Sequence, residues 1–167
     1  MTTLLMNEAE LSVELNRLIR TALDTRKKLL AFSVHAGTRA VRFLARNSAA
    51  SLARAVHELA DLVRRLGGRP PSEAQLRSTL PIPVMAQAQV LEACENAVAE
   101  VACHYRDALE WNLPESAQEI LMRHFAAVID NYERINRLRK RVHALWSRRV
   151  SRADDDSRPV RALHAAA

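Results

Sequence analysis

Leu11-Ser12-Val13-Glu14-Leu15-Asn16-Arg17-Leu18-Ile19-Arg20-Thr21-Ala22 decides the fold class, because its apolar members recur every three or four places. Leu11, Leu15, Leu18 and Ala22 share one stripe of a helix, and Glu14, Arg17 and Arg20 lie away from it. The pattern runs on through Leu29 and Phe32, with Thr25 as the polar member of the stripe, and predicts a first helix from about Thr3 to Ala36. Gly37 is expected to end that helix in the left-handed conformation, and Thr38 to cap the next one. The second helix carries Val41, Leu44, Ser48, Leu52, Ala55, Leu59, Leu62 and Leu66 on one face, and Gly67-Gly68 stops it.

Residues 67 to 83 contain four of the six prolines, which lack the helical N–H donor and restrict their neighbours, so a long connection is expected there. From Val84 the period returns with Leu91, Cys94, Val98, Val101, Tyr105 and Ala108, up to Asn112-Leu113-Pro114. Pro114 suits the first turn of a fourth helix, whose predicted stripe is Leu121, Phe125, Val128, Tyr132, Ile135, Leu138, Val142 and Leu145. The expected fold is all-α, an antiparallel four-helix bundle over residues 1–150. A flexible tail is expected over residues 151–167, where Asp154-Asp155-Asp156, Pro159 and a terminal alanine run stand. The link between the second and third helices is long enough either to run the length of the bundle or to leave the second hairpin alongside.

Composition agrees with an all-α protein. The chain has 167 residues, 49% of them apolar and 26% charged, enough to bury a core. Only 3 glycines and 4% aromatic residues leave little material for tight hairpins or pleated sheets. With three glycines phosphate-cradling loops are hard to build, and Gly-x-Gly-x-x-Gly, Gly-x₄-Gly-Lys, Cys-x-x-Cys and Gly-x-Ser-x-Gly are all missing. No segment approaches the roughly 20 apolar residues of a membrane span. Cys94 and Cys103 sit on nearly opposite faces of one predicted helix and cannot pair, which fits a reducing, cytoplasmic setting.

Several strings in order, Leu15-Asn16-Arg17-Leu18-Ile19, Glu58 through the Leu66-Gly67-Gly68 turn, Leu91-Glu92-Ala93-Cys94-Glu95, and Tyr105-Arg106-Asp107-Ala108-Leu109 before Leu113-Pro114, resemble a bacterial family of small ferritin-like four-helix proteins of unassigned function. The resemblance covers about residues 5 to 140. It implies inward carboxylates on the first and third helices and a histidine on the fourth, a vestige of a di-metal site, and loosely a place in stress physiology. The chain departs from that pattern: Arg26 and Lys27 stand at the first position, Val98 at the second and Tyr132 at the third. The sequence contains no Glu-x-x-His, the pairing that lets one helix face hold an ion. Glu100 and His104 are the nearest substitute for metal ligands, and no cofactor is expected.

Counting outward from the first turn sets Thr25 level with Ser48, and from the second sets Cys94 level with Tyr132 and Tyr105 level with Leu121. Thr25, Ser48, Tyr105 and Tyr132 are the candidates for a central polar layer; both tyrosines fall on the apolar stripe, where a core position with the hydroxyl tethered to a neighbour is the plainer expectation. The hydroxyls of Thr25 and Ser48 would each bond an i−4 carbonyl, or would line a small hydrated cavity. The net charge of +6 comes from one place: residues 134 to 152 carry eight basic side chains and no acid, while the remainder holds 17 basic against 19 acidic groups. Arg134, Arg137, Arg139, Lys140, Arg141, Arg148 and Arg149 are the candidate partner-binding residues, with Trp146 as an apolar anchor. The run is read first as a solvated face without a partner; the partners it would otherwise take are a second copy or an acidic protein, with nucleic acid or an anionic membrane surface as alternatives. Val13, Leu30, Val34, Val56 and Val63 lie off the main stripes and offer an apolar strip for self-association. A non-enzymatic structural or interaction protein is the expected function, with a di-metal protein and a polyanion binder as alternatives.

Overall fold

The computed structural model describes residues 6–72 and 85–156, with 150–156 described as backbone alone. Four helices make up the secondary structure of the described residues, with no strand: α1 (Glu8–His35), α2 (Arg39–Arg65), α3 (Gln87–Leu109) and α4 (Glu115–Asp156). None of them is long and apolar enough to cross a membrane. Most of the tail expected from residue 151 lies outside the described residues, and α4 itself runs on to Asp156.

Each helix end has a local cause. The Asn7 side chain accepts from the Glu10 N–H while the Glu10 carboxylate accepts from the Asn7 N–H, a reciprocal capping pair that starts α1 at Glu8, five residues later than periodicity alone predicts. Thr38 Oγ1 accepts from the Val41 N–H and caps α2 as expected. The stop between them differs from expectation: Ala36 takes an extended conformation, and Gly37 is not the residue with positive φ. That residue is Gly67, at φ 74°, where α2 ends. Gly67 N–H donates to Arg64 and Gly68 N–H to Val63, so the last carbonyls of α2 are satisfied within the turn. Gly68 packs so closely that a Cβ there would lie 2.0 Å from Ser12 Oγ. Pro114 precedes α4 rather than opening it, with its carbonyl accepting from Ala117 and Gln118.

Packing follows the amphipathic stripes. α1 lies against α2 and α3, α4 lies against the same two helices, and α2 and α3 barely touch. The core holds Leu11, Leu15, Ile19, Leu29, Leu59, Leu91, Leu121 and Ile135, all essentially sealed from water. Each such side chain contributes about 1.5–3 kcal/mol when buried, and that gain holds together helices too polar to stand alone. On α4 the buried face is turned from the predicted one: Phe125 and Tyr132 are half-buried, while His124 and Asn131 lie inside. Val63, expected on the surface, is fully buried beside Gly68, and Val56 is half-buried.

Three contacts fix the ends of the helices relative to one another. Met6 N–H donates to the Asn112 carbonyl, bringing the start of α1 to the α3–α4 turn. Asn16 Nδ2 donates to the Arg69 carbonyl, holding the chain that leaves α2 against the lower part of α1. Gln87 Nε2 donates to Thr38 Oγ1, so α3 begins where α2 begins. The chain therefore passes from one end of the molecule to the other between α2 and α3, which decides between the two paths left open by length.

Candidate functional site

Two regions carry unusual chemistry, the buried hydroxyls inside the helices and the basic end of α4. Thr25 and Ser48 are each 1% exposed and Tyr105 is fully buried. Their three hydroxyls have no hydrogen-bond partner among the described residues. The bonds to preceding carbonyls expected of Thr25 and Ser48 are not formed, although Thr21 and Ser33 do make such bonds, to Arg17 and Leu30. A hydroxyl buried in this way costs about 1–3 kcal/mol. Burial, reinforced by the negative charge of Glu58, pushes the Tyr105 phenol far above its ordinary range, so it stays protonated. Burial likewise raises the Cys94 thiol to about 12. Tyr105 lies near Glu58, ten residues along α2 from Ser48, so these hydroxyls do not form one layer; Tyr132 is half-buried at the margin of the core, next to Asn131, which Asn47 bonds.

A di-metal centre of the kind the ferritin-like resemblance implies needs inward carboxylates and imidazoles. The residues at the implied positions, Arg26, Lys27, Val98 and Tyr132, provide none, and the buried polar groups Thr25, Ser48 and Tyr105 are neutral hydroxyls. Among the described residues no group of three or more His, Cys, Asp or Glu side chains comes together to hold an ion. Glu100 is exposed with its Oε2 3.7 Å from Lys28 Nζ, and His104 is half-buried one turn further on. The donor set does not fit a resident di-metal site.

Sequence reasoning missed two polar contacts between helices. Glu95, only 6% exposed, accepts from Asn136 and pairs with Arg139, tying α3 to α4. Glu58 on α2 pairs with Arg123 and lies 3.3 Å from His124 Nε2. Burial outweighs the Glu58 charge and holds the His124 imidazole below the usual histidine range, so this contact involves a neutral ring at pH 7. A signal for both existed in the spacing: Leu91, Glu95 and Val98 share one face, as do Leu121, His124 and Val128.

α4 outruns its neighbours. Asn47 Nδ2 donates to Asn131 Oδ1, and eight residues nearer the start of α2 stands Arg39, where α2 begins. Opposed helices advance at equal rates, so α2 ends its cover of α4 near residue 139. Burial fades accordingly: Ile135 is sealed, Leu138 and Val142 are half-buried, and residues 143–149 are all exposed. Leu145 and Trp146 are 61% and 66% exposed.

The seven candidate cations divide into two sets. Arg134 is paired with Asp130 at 2.8 Å, Arg139 with Glu95, and Arg137 donates to the Glu133 carbonyl. Lys140, Arg141, Arg148 and Arg149 are exposed and make no ion pair with a described residue. No known family model matches the chain, and no curated protein matches it.

Proposed function

We propose that this chain is a non-enzymatic, ferritin-like, antiparallel four-helix bundle that acts as an interaction protein in the cytoplasm, with the projecting end of α4 as its contact surface. Support for the ferritin-like connectivity comes from two hairpins with short turns and a long link between opposite ends of the bundle. Two free cysteines, Cys94 and Cys103, fit a reducing compartment. The observation that carries the functional reading is the overrun of α4, which exposes Leu145 and Trp146 between the unpaired pairs Lys140, Arg141 and Arg148, Arg149. Apolar and cationic groups in one projecting segment suit a protein surface, since aromatic and arginine side chains concentrate binding energy there.

A second reading, polyanion binding, is favoured by four cations that make no ion pair with a described residue. The two readings separate by salt. Contact with a nucleic-acid or anionic-vesicle surface weakens steeply as salt rises, because neutralised phosphates release counterions. Mobility shifts on duplex DNA and flotation with anionic vesicles, for the native chain and for Arg148→Ala/Arg149→Ala, test it. Saturable, salt-sensitive binding lost in the variant supports the polyanion reading. Absence of binding near physiological salt, together with loss of a protein contact in Leu145→Asp/Trp146→Asp, supports the protein reading. About two irons or manganese per purified chain with oxidase activity would overturn the non-enzymatic assignment.

A further inference from the structure

Charge outside residues 134–152 is itself unevenly placed. Residues 25 to 57 hold seven basic side chains and no acidic one, so with both basic runs set aside the chain carries 10 basic against 19 acidic groups. The two runs lie far apart in sequence, and the fold brings them to one end. Residues 25–57 surround the α1–α2 turn, and Asn47 of α2 is level with Asn131 of α4, so the start of α2 stands beside the second half of α4. The acids of α3 at that end, Glu92 and Glu95, lie on the helix diagonally across from α2.

The outer side of α2 is the middle of the resulting basic face. Arg39, Phe43, Arg46 and Ala50 recur at three- and four-residue steps and are all exposed, on the side opposite the buried Val41, Ala45, Ser48 and Leu52. On α4, Arg141 stands five turns beyond Arg123, which pairs with Glu58 of α2, and Arg134 and Arg148 fall within about 20° of the same line. That row therefore borders α2; Asp130 lies in it and is held by Arg134. Leu145 sits about 40° inward from Arg141. On α1, Leu30 stands five turns beyond Ser12, against which Gly68 at the end of α2 packs, and Val34 follows one turn later along the other border of α2.

Two features of this face call for a ligand. Arg39 and Arg42 occupy the first turn of α2 with no acid there, although the positive end of a helix dipole favours acids. Arg39, Arg46, Arg141 and Arg148 make no ion pair with a described residue. Among these cations stand Val34, Phe43 and Leu145, 73%, 64% and 61% exposed. A nucleic-acid backbone would satisfy the arginines and leave the apolar side chains in water. The headgroup region of an anionic bilayer takes both.

We propose, building on the polyanion reading, that this face binds an anionic lipid surface, with Arg39, Phe43 and Arg46 at its centre, Val34 at one border and Arg141 and Leu145 at the other. No described helix is long and apolar enough to cross a bilayer, so the bundle lies on the surface with α3 and its acids turned away.

Flotation of the full chain with vesicles of phosphatidylcholine, with and without phosphatidylglycerol, tests the proposal. Binding is expected with the anionic lipid alone, and should weaken as salt rises. Arg39→Glu/Arg46→Glu should lower the partition coefficient by about tenfold or more. Phe43→Ser should lower it severalfold at low and high salt alike, because salt does not screen an inserted ring. All three side chains are exposed, and circular dichroism checks that the helices persist in each variant. Flotation that Arg148→Ala/Arg149→Ala abolishes and Arg39→Glu/Arg46→Glu leaves intact overturns this face while the polyanion reading stands. Binding to duplex DNA without flotation does the same, as does flotation indifferent to Phe43→Ser. Binding to neither vesicles nor DNA overturns both.

Discussion

Replacing Thr25 with valine removes a hydroxyl and little else. Both side chains branch at Cβ, so the shape and the restricted χ1 are retained. Thr25 Oγ1 is sealed from water without a hydrogen-bond partner among the described residues. Removing such a group recovers its desolvation penalty, about 1–3 kcal/mol. Thr25→Val should therefore stabilise the bundle by about 1 kcal/mol or more. Ser48→Ala should gain a similar amount with a further few tenths from the helix propensity of alanine. Tyr105→Phe keeps the ring and loses the third orphan hydroxyl.

A gain of 1 kcal/mol raises the melting midpoint by roughly 2–4 °C for a domain of this size. Urea titration followed by far-ultraviolet circular dichroism gives the same quantity isothermally, as a higher midpoint at unchanged slope. A fall in midpoint for Thr25→Val and Tyr105→Phe alike would refute the reasoning. It would mean that water inside the bundle bonds these hydroxyls, and that each substitution strands that water.

Burial with a thiol raised to about 12 should make Cys94 unreactive in the native protein, whereas exposed Cys103 should react, so a maleimide should label one site natively and two in denaturant, read by mass. His124 titrates below the ordinary histidine value of about 6.5, so as pH falls below that value the unfolded chain takes up a proton that the native ring refuses, and stability declines; above it the ring contributes no pH slope. His124→Gln should flatten this decline in denaturant midpoints compared between about pH 7.5 and 5.5, and an undiminished decline would show that another group causes it. Gly68→Ala would force a Cβ to 2.0 Å from Ser12 Oγ and 2.9 Å from Val63 Cγ1, and thermal melting should register a loss of about 1–3 kcal/mol that Ser12→Gly partly recovers.

How far the sequence revealed the fold varies by helix, for physical reasons. On α3 every residue of the predicted stripe is buried, because Leu91, Cys94, Val98, Val101, Tyr105 and Ala108 are apolar and their flanks polar. On α4 the hydrophobicity of Phe125 and Tyr132 misdirects the reading by part of a turn, since it takes no account of polar groups that earn burial through a neighbour. His124 lies inside beside Glu58, and Asn131 inside beside Asn47. Chain reversals were legible where one side chain does the capping, as at Thr38, and misread where either of two adjacent residues could serve, as at Ala36 and Gly37. The route from α2 to α3 depends on single long-range contacts such as Gln87 with Thr38, which no local pattern encodes. Turn symmetry set Thr25 level with Ser48, but the missing partners of their hydroxyls depend on all that packs around them. The basic run was plain in the sequence; which cations are already engaged was decided by Asp130 and Glu95.

The hydrogen bond from Met6 to Asn112 anchors the first described residue beside the foot of α4, while the last described residue, Asp156, lies far along that helix. A helix of 42 residues spans roughly 63 Å. The described bundle is thus a strut: positions 6 and 156 stand about that far apart along one axis. Here a covalent bridge between the two poles would need roughly 18 fully extended residues. Spacing two groups attached at positions 6 and 156 is therefore an easy task for this bundle.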